Sequence, residues 1–209
     1  MAVGAFIGLT QTDVKRVLAY SSIAHAGFIL VGVVGVATVY TGLAEDQIGS
    51  VASVLFYLLA YGFATMGAFA IITLVRRSGS EATGYAAWEG LGRRNPVLAV
   101  VMTIFLLSMA GIPLTGGFVG KVLVFISAWN GGYVWLVLLA VLFSLVTAGF
   151  YFRIVWLMFG KEPTPDTAVV TPGIGTWLVM YFGALATVVL GVAPSWMIDL
   201  IGASAGFVR

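Results

Sequence analysis

Long apolar runs separated by short polar segments extend along the whole chain. A membrane-spanning helix needs about 20 mostly apolar residues, and several runs reach that length. The pattern therefore predicts an all-α, polytopic transmembrane helix bundle that forms a single domain over residues 1–209. We expect about five full spans and a partial one at the amino terminus. The predicted spans are 1–10 (partial), 17–40, 50–75, 96–129, 133–159 and 173–193.

The span at 96–129 contains a predicted break near 111–117. Proline removes a backbone donor and glycine weakens a helix, so a cluster of these residues interrupts the hydrogen-bond ladder. Discontinuous helices of this kind line ion pathways in transporters, because their freed backbone groups need water or polar neighbours. The residues predicted to break the helix are Gly111, Pro113, Gly116 and Gly117.

Lysine and arginine occur in alternate connections. Lys15 and Arg16 lie in the first, four arginines lie in the third at 76–95, and Arg153 and Lys161 flank the start of the fifth. Because cytoplasmic loops retain positive charge, we expect these three connections in the cytoplasm and the carboxy terminus outside. Arg153 is expected to snorkel or to pair with lipid phosphate. The glycine-rich third connection is predicted to lie in water without a stable helix.

Composition excludes several classes of function. Charged residues make up 9% of the chain, against roughly a quarter in a soluble domain. The net charge of +2 is spread along the sequence, which argues against a nucleic-acid surface. With no cysteine there is no thiolate metal site or iron–sulfur ligation, and we find no phosphate loop or paired carboxylates within a span. We therefore expect neither a metal, a cofactor nor redox chemistry within this chain.

Lys121 is the strongest candidate for chemistry. It follows the predicted break by about two turns, with uncharged residues on both sides for more than a helix length. That depth predicts a position near mid-membrane, where an ammonium costs about 2.5 kcal/mol or more and must face other helices or water. A lysine whose charge can be switched at modest cost is suited to proton exchange. The alternative is a lysine that snorkels to an interface beside a proline kink.

His25 is the single histidine and follows Ser21 and Ser22. Ser21 lies four residues before His25, so the two side chains share one side of the predicted helix. A histidine can relay a proton near neutral pH. The alternative is a packing histidine that bonds to a neighbouring backbone group.

Tyr57, Tyr61 and Thr65 recur every four residues on the second full span and form a polar stripe. Such a stripe either lines a wet path or packs helices together. The predicted lining of a water path to Lys121 comprises Ser22, Tyr61, Thr65 and Thr115.

Two stretches resemble the antiporter-like membrane subunits of respiratory complex I. They are QTDVKRVLAYSSIAHAG at 11–27 and LSMAGIPLTGGFVGK at 107–121. The first is shared with cation/proton antiporter complexes and membrane hydrogenases. In the second, M-type members usually carry Glu at the position of Lys121, whereas N and L types carry Lys. The L type continues into a long lateral helix, so the N type is the closest match.

The resemblance implies the second half of an antiporter-like fold, which has about fourteen spans in two inverted repeats. The chain is then expected to be a fragment or half of a split subunit. By resemblance, Lys121 is the proton-exchange lysine of the second broken helix, and His25 is a polar relay residue.

The function implied is that of a proton-translocating membrane subunit of an NADH:quinone oxidoreductase in the bacterial plasma membrane. Its expected partners are other membrane subunits, membrane lipids and protons; flavin, iron–sulfur clusters and quinone are expected on partner subunits. Two alternatives stay open. One is a subunit of a multi-subunit cation/proton antiporter or membrane hydrogenase. The other is a structural membrane-arm subunit in which Lys121 is fixed in a salt bridge.

Overall fold

A computed structural model describes residues 1–39, 47–77, 79–164 and 167–205, and most of these residues are helical. The described elements are α1 (Ala2–Thr10), α2 (Val14–Val39), α3 (Gln47–Ile72), β1 (Val75–Arg77), β2 (Ser80–Glu81), α4 (Tyr85–Trp88), α5 (Leu91–Arg94), α6 (Pro96–Ala110), α7 (Gly116–Asn130), α8 (Val134–Gly160), β3 (Thr167–Val169), α9 (Ile174–Val192) and α10 (Ser195–Ala205).

Within the described ranges, four helices are long and apolar enough to cross a membrane: α2, α3, α8 and α9. The 15-residue helices α6 and α7 are each about 22 Å long, and residues 111–115 separate them. The predicted polytopic all-α membrane fold is confirmed. The predicted end of one span at residue 40 lies outside the described residues.

The third connection differs from expectation, because it contains the single-turn helices α4 and α5 and the strands β1 and β2. Strand β1 pairs antiparallel with both β2 and β3, so the small sheet joins two connections. Trp88 is fully buried and its indole N–H donates to the Ala82 carbonyl at 3.1 Å. Tertiary contacts of this kind stabilise helices that are too short to persist alone. The helical stretch Tyr85–Arg94 bends by 119° from α6.

The three connections that carry lysine and arginine lie together on one side of the bundle. The Val14 N–H donates to the Thr83 carbonyl at 2.8 Å, which joins the first connection to the third. A guanidinium N–H of Arg94 donates to the Thr167 carbonyl at 2.8 Å, which joins the third to the fifth. We call this side the basic face. The other side, where α2 and α7 end and α8 begins, is called the opposite face.

Helices α9 and α10 flank α3. Pro194 follows α9, and α10 then packs Met197, Ile198 and Ile201 into a cluster with Phe56 of α3. The outward sides of α8 and α9 carry exposed large apolar residues, as expected for helices that face lipid or apolar partners.

Candidate functional site

Helix α6 ends because Gly111 adopts a left-handed conformation with φ 86°. The Gly111 N–H donates to the carbonyls of Leu107 and Ser108, both at 3.0 Å, and the Ile112 N–H donates to Leu107 at 3.0 Å. This arrangement is a glycine-terminated helix end, which leaves the last carbonyls of the helix without helical partners. Pro113 follows in the break and has no N–H to continue the ladder.

Helix α7 begins directly after Thr115, whose hydroxyl donates back to the Ile112 carbonyl at 2.6 Å. The Gly117 N–H donates to the Ser108 hydroxyl at 3.1 Å. A side chain at Gly117 would overlap the Ser108 carbonyl, so glycine permits the close approach of α7 to α6. The break therefore spans 111–115, shorter than expected, and Gly116 and Gly117 lie in the first turn of α7 instead.

Lys121 lies in the second turn of α7 and is 4% exposed. Its ammonium donates to the carbonyls of Met109 and Ala110, both at 2.9 Å, and to the Ser144 hydroxyl at 2.8 Å. All three N–H donors of the ammonium are thus used. The two carbonyls belong to the last turn of α6, where the helix dipole favours a positive charge.

No carboxylate forms an ion pair with Lys121 in the part of the chain that the structure describes. About 14 Å of helix separates it from the carboxy-terminal end of α7. Its amine is directed into the break rather than away along α7, so this geometry does not show a snorkelling lysine.

His25 is 1% exposed and lies between two tyrosine hydroxyls. Its Nδ1 is 2.8 Å from the Tyr57 hydroxyl, and its Nε2 is 3.1 Å from the Tyr151 hydroxyl. The Tyr61 ring stacks on the imidazole with 4.3 Å between ring centroids. The ring nitrogens of His25 therefore bond to side chains on α3 and α8, not to backbone.

Two serines extend this polar cluster along α2. The Tyr61 hydroxyl donates to Ser22 Oγ at 2.7 Å, and Ser22 donates to the Leu18 carbonyl at 3.0 Å. Ser21 bonds to the Tyr151 hydroxyl. We call His25, Ser21, Ser22, Tyr57, Tyr61 and Tyr151 the histidine cluster.

The structure separates the four predicted path residues. Ser22 and Tyr61 belong to the histidine cluster, and Thr65 lies one turn further along α3 toward the basic face. The Thr65 hydroxyl is buried and finds no hydrogen-bond partner among the described residues. Thr115 closes the turn within the helix break instead.

A narrow space with no room for a water molecule lies between the histidine cluster and the helix break. Met109 lines this space beside His25, and its carbonyl accepts a hydrogen bond from Lys121, so Met109 borders both the histidine cluster and the lysine site. The residues that line the space are His25, Tyr57, Tyr61, Ala64, Ser108, Met109 and Gly117.

Sequence reasoning missed Ser144 and Tyr151 on α8 and Ser108 on α6. One signal was present: Ser144, Thr147 and Tyr151 follow the i, i+3, i+7 spacing of one helix face in an otherwise apolar span. Ser108 has no comparable signal. Its contact with Gly117 arises only when the start of α7 packs closely against the end of α6.

These features define a multi-pass helical membrane protein built around an interrupted helix and a buried lysine. Residues 1–147 match the family model described as NADH:quinone oxidoreductase/Mrp antiporter, TM. The chain belongs to this family, which confirms the resemblance carried by the two motifs.

Curated relatives include NADH-quinone oxidoreductase subunit N of Cutibacterium acnes, 53% identical over 212 residues, in an alignment that covers 100% of this chain and 39% of the relative. A chain of respiratory complex I from Thermus thermophilus with bound Aureothin has a TM-score of 0.78 at 30% identity, and the match covers 95% of this chain and 42% of that one. A chain of the Mrp complex from Dietzia has a TM-score of 0.79 at 21% identity, covering 98% and 44%, which is a similarity of fold alone. The chain thus spans about two fifths of the length of these proteins.

Proposed function

We propose that this chain is part of a proton-translocating membrane subunit of an NADH:quinone oxidoreductase, and that Lys121 is its proton-exchanging group. The observation that carries the proposal is the identity of the partners of Lys121, which are two carbonyls and one hydroxyl. A buried lysine with neutral partners can lose its proton without leaving a buried carboxylate unpaired.

The same three partners suit both charge states of Lys121. An ammonium donates three hydrogen bonds, which the carbonyls of Met109 and Ala110 and the Ser144 hydroxyl accept. A neutral amine has two N–H groups and one lone pair. The carbonyls then accept the two N–H bonds, and the Ser144 hydroxyl rotates to donate to the lone pair. Proton loss therefore leaves no buried polar group of this site unpaired.

The histidine cluster is the proposed relay between Lys121 and the basic face. A hydroxyl both donates and accepts, so Tyr57 and Tyr151 satisfy either tautomer of His25. Ser22, Tyr61 and Thr65 continue the polar side chains toward the basic face. Redox-driven changes elsewhere in the complex would shift the field at Lys121 and so drive the exchange.

The proposed setting is the bacterial plasma membrane, with the basic face in the cytoplasm and the carboxy terminus outside. The joining of three cation-bearing connections on one face supports this orientation. Other membrane subunits and lipids are the proposed partners, and flavin, iron–sulfur clusters and quinone would be held by other subunits.

The test is proton pumping by the purified complex that contains this chain, reconstituted in vesicles, with Lys121→Ala. NADH-driven acidification should fall strongly, while Lys161→Ala, which removes an exposed lysine near the basic face, should pump normally. If the assembled Lys121→Ala complex pumps as fast as the unmodified complex, Lys121 is not part of the proton pathway.

A cation/proton antiporter subunit is the second candidate, because the matched family includes Mrp antiporters. Purification through a tag on this chain separates the two. Copurification of flavin and iron–sulfur subunits supports the oxidoreductase, whereas a complex without them that exchanges sodium for protons supports the antiporter.

A further inference from the structure

Arg153 is an exposed cation on α8 whose guanidinium has no hydrogen-bond acceptor or carboxylate partner among the described residues. Its Cζ lies 4.8 Å from the centroid of the Tyr85 ring. Such stacking fixes the plane of a guanidinium, but it does not satisfy the N–H donors at its edge. Arg153 therefore presents donors that need an acceptor from outside the described part of the chain.

Tyr85, on α4, is a second donor without an acceptor. It is 8% exposed, and its buried hydroxyl has no hydrogen-bond partner among the described residues. The carboxylate of Asp13 is close in the fold, because Asp13 forms a backbone bridge with Gly84. Its two oxygens already accept from the Arg16 backbone N–H and the Thr83 hydroxyl. Since buried polar groups are almost always hydrogen-bonded, an unpaired hydroxyl beside an unpaired guanidinium points to a ligand with acceptor oxygens.

The position of Arg153 along α8 places it near the border of the hydrocarbon. Helix α8 has 27 residues and is about 40 Å long, whereas the hydrocarbon is about 30 Å thick. Arg153 precedes Gly160, the last residue of α8, by about two turns or 10 Å. If α8 is centred in the membrane, the Arg153 backbone lies about 5 Å inside the hydrocarbon. A long cationic side chain reaches the headgroups from that depth.

Large aromatic side chains accompany Arg153 on the outward side of α8. Phe152, Trp156 and Phe159 are 46%, 58% and 42% exposed. Trp156 follows Arg153 by three residues, so the two side chains are neighbours on the helix surface. Exposed tryptophan is typical of helix ends at the membrane–water interface. This part of α8 therefore combines a cation for a headgroup with an apolar surface for acyl chains.

We propose that Arg153 and Tyr85 form a binding site for the phosphate of an anionic phospholipid, whose acyl chains lie against Phe152 and Trp156. The phosphate oxygens accept from the Arg153 guanidinium, and a shift of this long side chain toward the headgroups lets them also accept from the Tyr85 hydroxyl. Phosphatidylglycerol brings no cation to the site, whereas phosphatidylcholine places one near Arg153. The site depends on the chain being a membrane protein and not on proton exchange at Lys121.

The test is photo-crosslinking in the purified complex that contains this chain, after detergent has replaced its native lipid. Phosphatidylglycerol with a photoreactive acyl chain is added, and the labelled peptides are identified by mass spectrometry. It should label residues 152–159 of α8 several-fold more than phosphatidylcholine with the same acyl chain. Equal labelling by the two lipids would contradict the site. So would the absence of any label on α8, because another subunit would then cover Arg153.

Two variants separate the two donors of the site. Arg153→Gln removes the positive charge, and Tyr85→Phe removes only the hydroxyl and keeps the ring. Each should lower the labelling of α8 by phosphatidylglycerol several-fold. Arg93→Gln is the control and should be labelled like the unmodified complex, because Arg93 is an exposed cation near the same face that already pairs with Glu162 at 3.9 Å. If Arg153→Gln or Tyr85→Phe is labelled as strongly as Arg93→Gln, the proposed site is wrong.

Competition in the unmodified complex covers the case in which the variants fail to assemble. Excess unlabelled phosphatidylglycerol should displace the photoreactive lipid from α8. Phosphatidylcholine should not, and neither should glycerol 3-phosphate, which carries the phosphate without acyl chains. Displacement by phosphatidylcholine would contradict the preference for an anionic headgroup. Displacement by glycerol 3-phosphate would show a site for a soluble phosphate and would contradict the lipid site.

Discussion

Gly111 and Lys121 are in contact across the helix break. A Cβ at Gly111 would lie 3.0 Å from Lys121 Cδ and 3.2 Å from its Nζ. The residue that ends α6 is therefore also a wall of the lysine site. Glycine meets both requirements, since the position needs a left-handed backbone and has no room for a side chain.

Gly111→Ala should impair pumping as well as stability. The left-handed conformation costs an alanine about 1–2 kcal/mol, and the added methyl group displaces the Lys121 amine from its carbonyl partners. The matched control is Gly132→Ala, where φ is 84° and a Cβ would meet nothing within 4 Å. Thermal unfolding and pumping of both variants should separate the effects. Both variants should lose stability, and only Gly111→Ala should also lose proton pumping per assembled complex. If Gly111→Ala and Gly132→Ala pump equally well, the contact between Gly111 and Lys121 is not needed for proton pumping.

Tyr57→Phe and Tyr151→Phe should each slow proton transfer while the rings stay in place. Each change leaves one imidazole nitrogen of His25 without its hydroxyl partner, at a cost of about 1–3 kcal/mol for a buried polar group. We expect a lower melting temperature and a several-fold lower pumping rate. Tyr181→Phe is the control, because Tyr181 is 47% exposed on α9 and is stacked on Trp177. If Tyr57→Phe and Tyr151→Phe pump as fast as Tyr181→Phe, the hydroxyls of Tyr57 and Tyr151 take no part in the proton relay.

The sequence pattern predicted the bundle because lipid imposes long apolar helices with few exceptions. Strands β1 and β2 contain three and two residues, too few for an alternating pattern to be visible. They exist because the first, third and fifth connections meet at the basic face. That meeting is a tertiary event which no local pattern contains.

The candidate site could be predicted only in part. Lys121 stood out because it is a single charge in a long apolar run, but its main partners are backbone carbonyls, which every residue possesses. The partners of His25 lie 32 and 126 residues further along the chain. Spacing within one helix shows which residues share a face. It does not show which faces of different helices come together.

The orientation can be tested by cysteine labelling, because the chain has no cysteine of its own. Ser80→Cys introduces an exposed thiol on the basic face, and Asn130→Cys introduces one at the end of α7 on the opposite face. In intact cells, a membrane-impermeant maleimide should label the Asn130→Cys variant and leave the Ser80→Cys variant unlabelled. The reverse result would place the basic face and its arginines outside.

Lys121 is proposed to act by gaining and losing a proton. The most direct test is the number of protons translocated per NADH oxidised by assembled complexes that carry Lys121→Arg or Lys121→Met. Arginine keeps the positive charge and the hydrogen-bond donors but does not release its proton in proteins. Both variants should pump far fewer protons than the unmodified complex. If Lys121→Arg translocates as many protons as the unmodified complex, Lys121 is a fixed charge and the account is wrong.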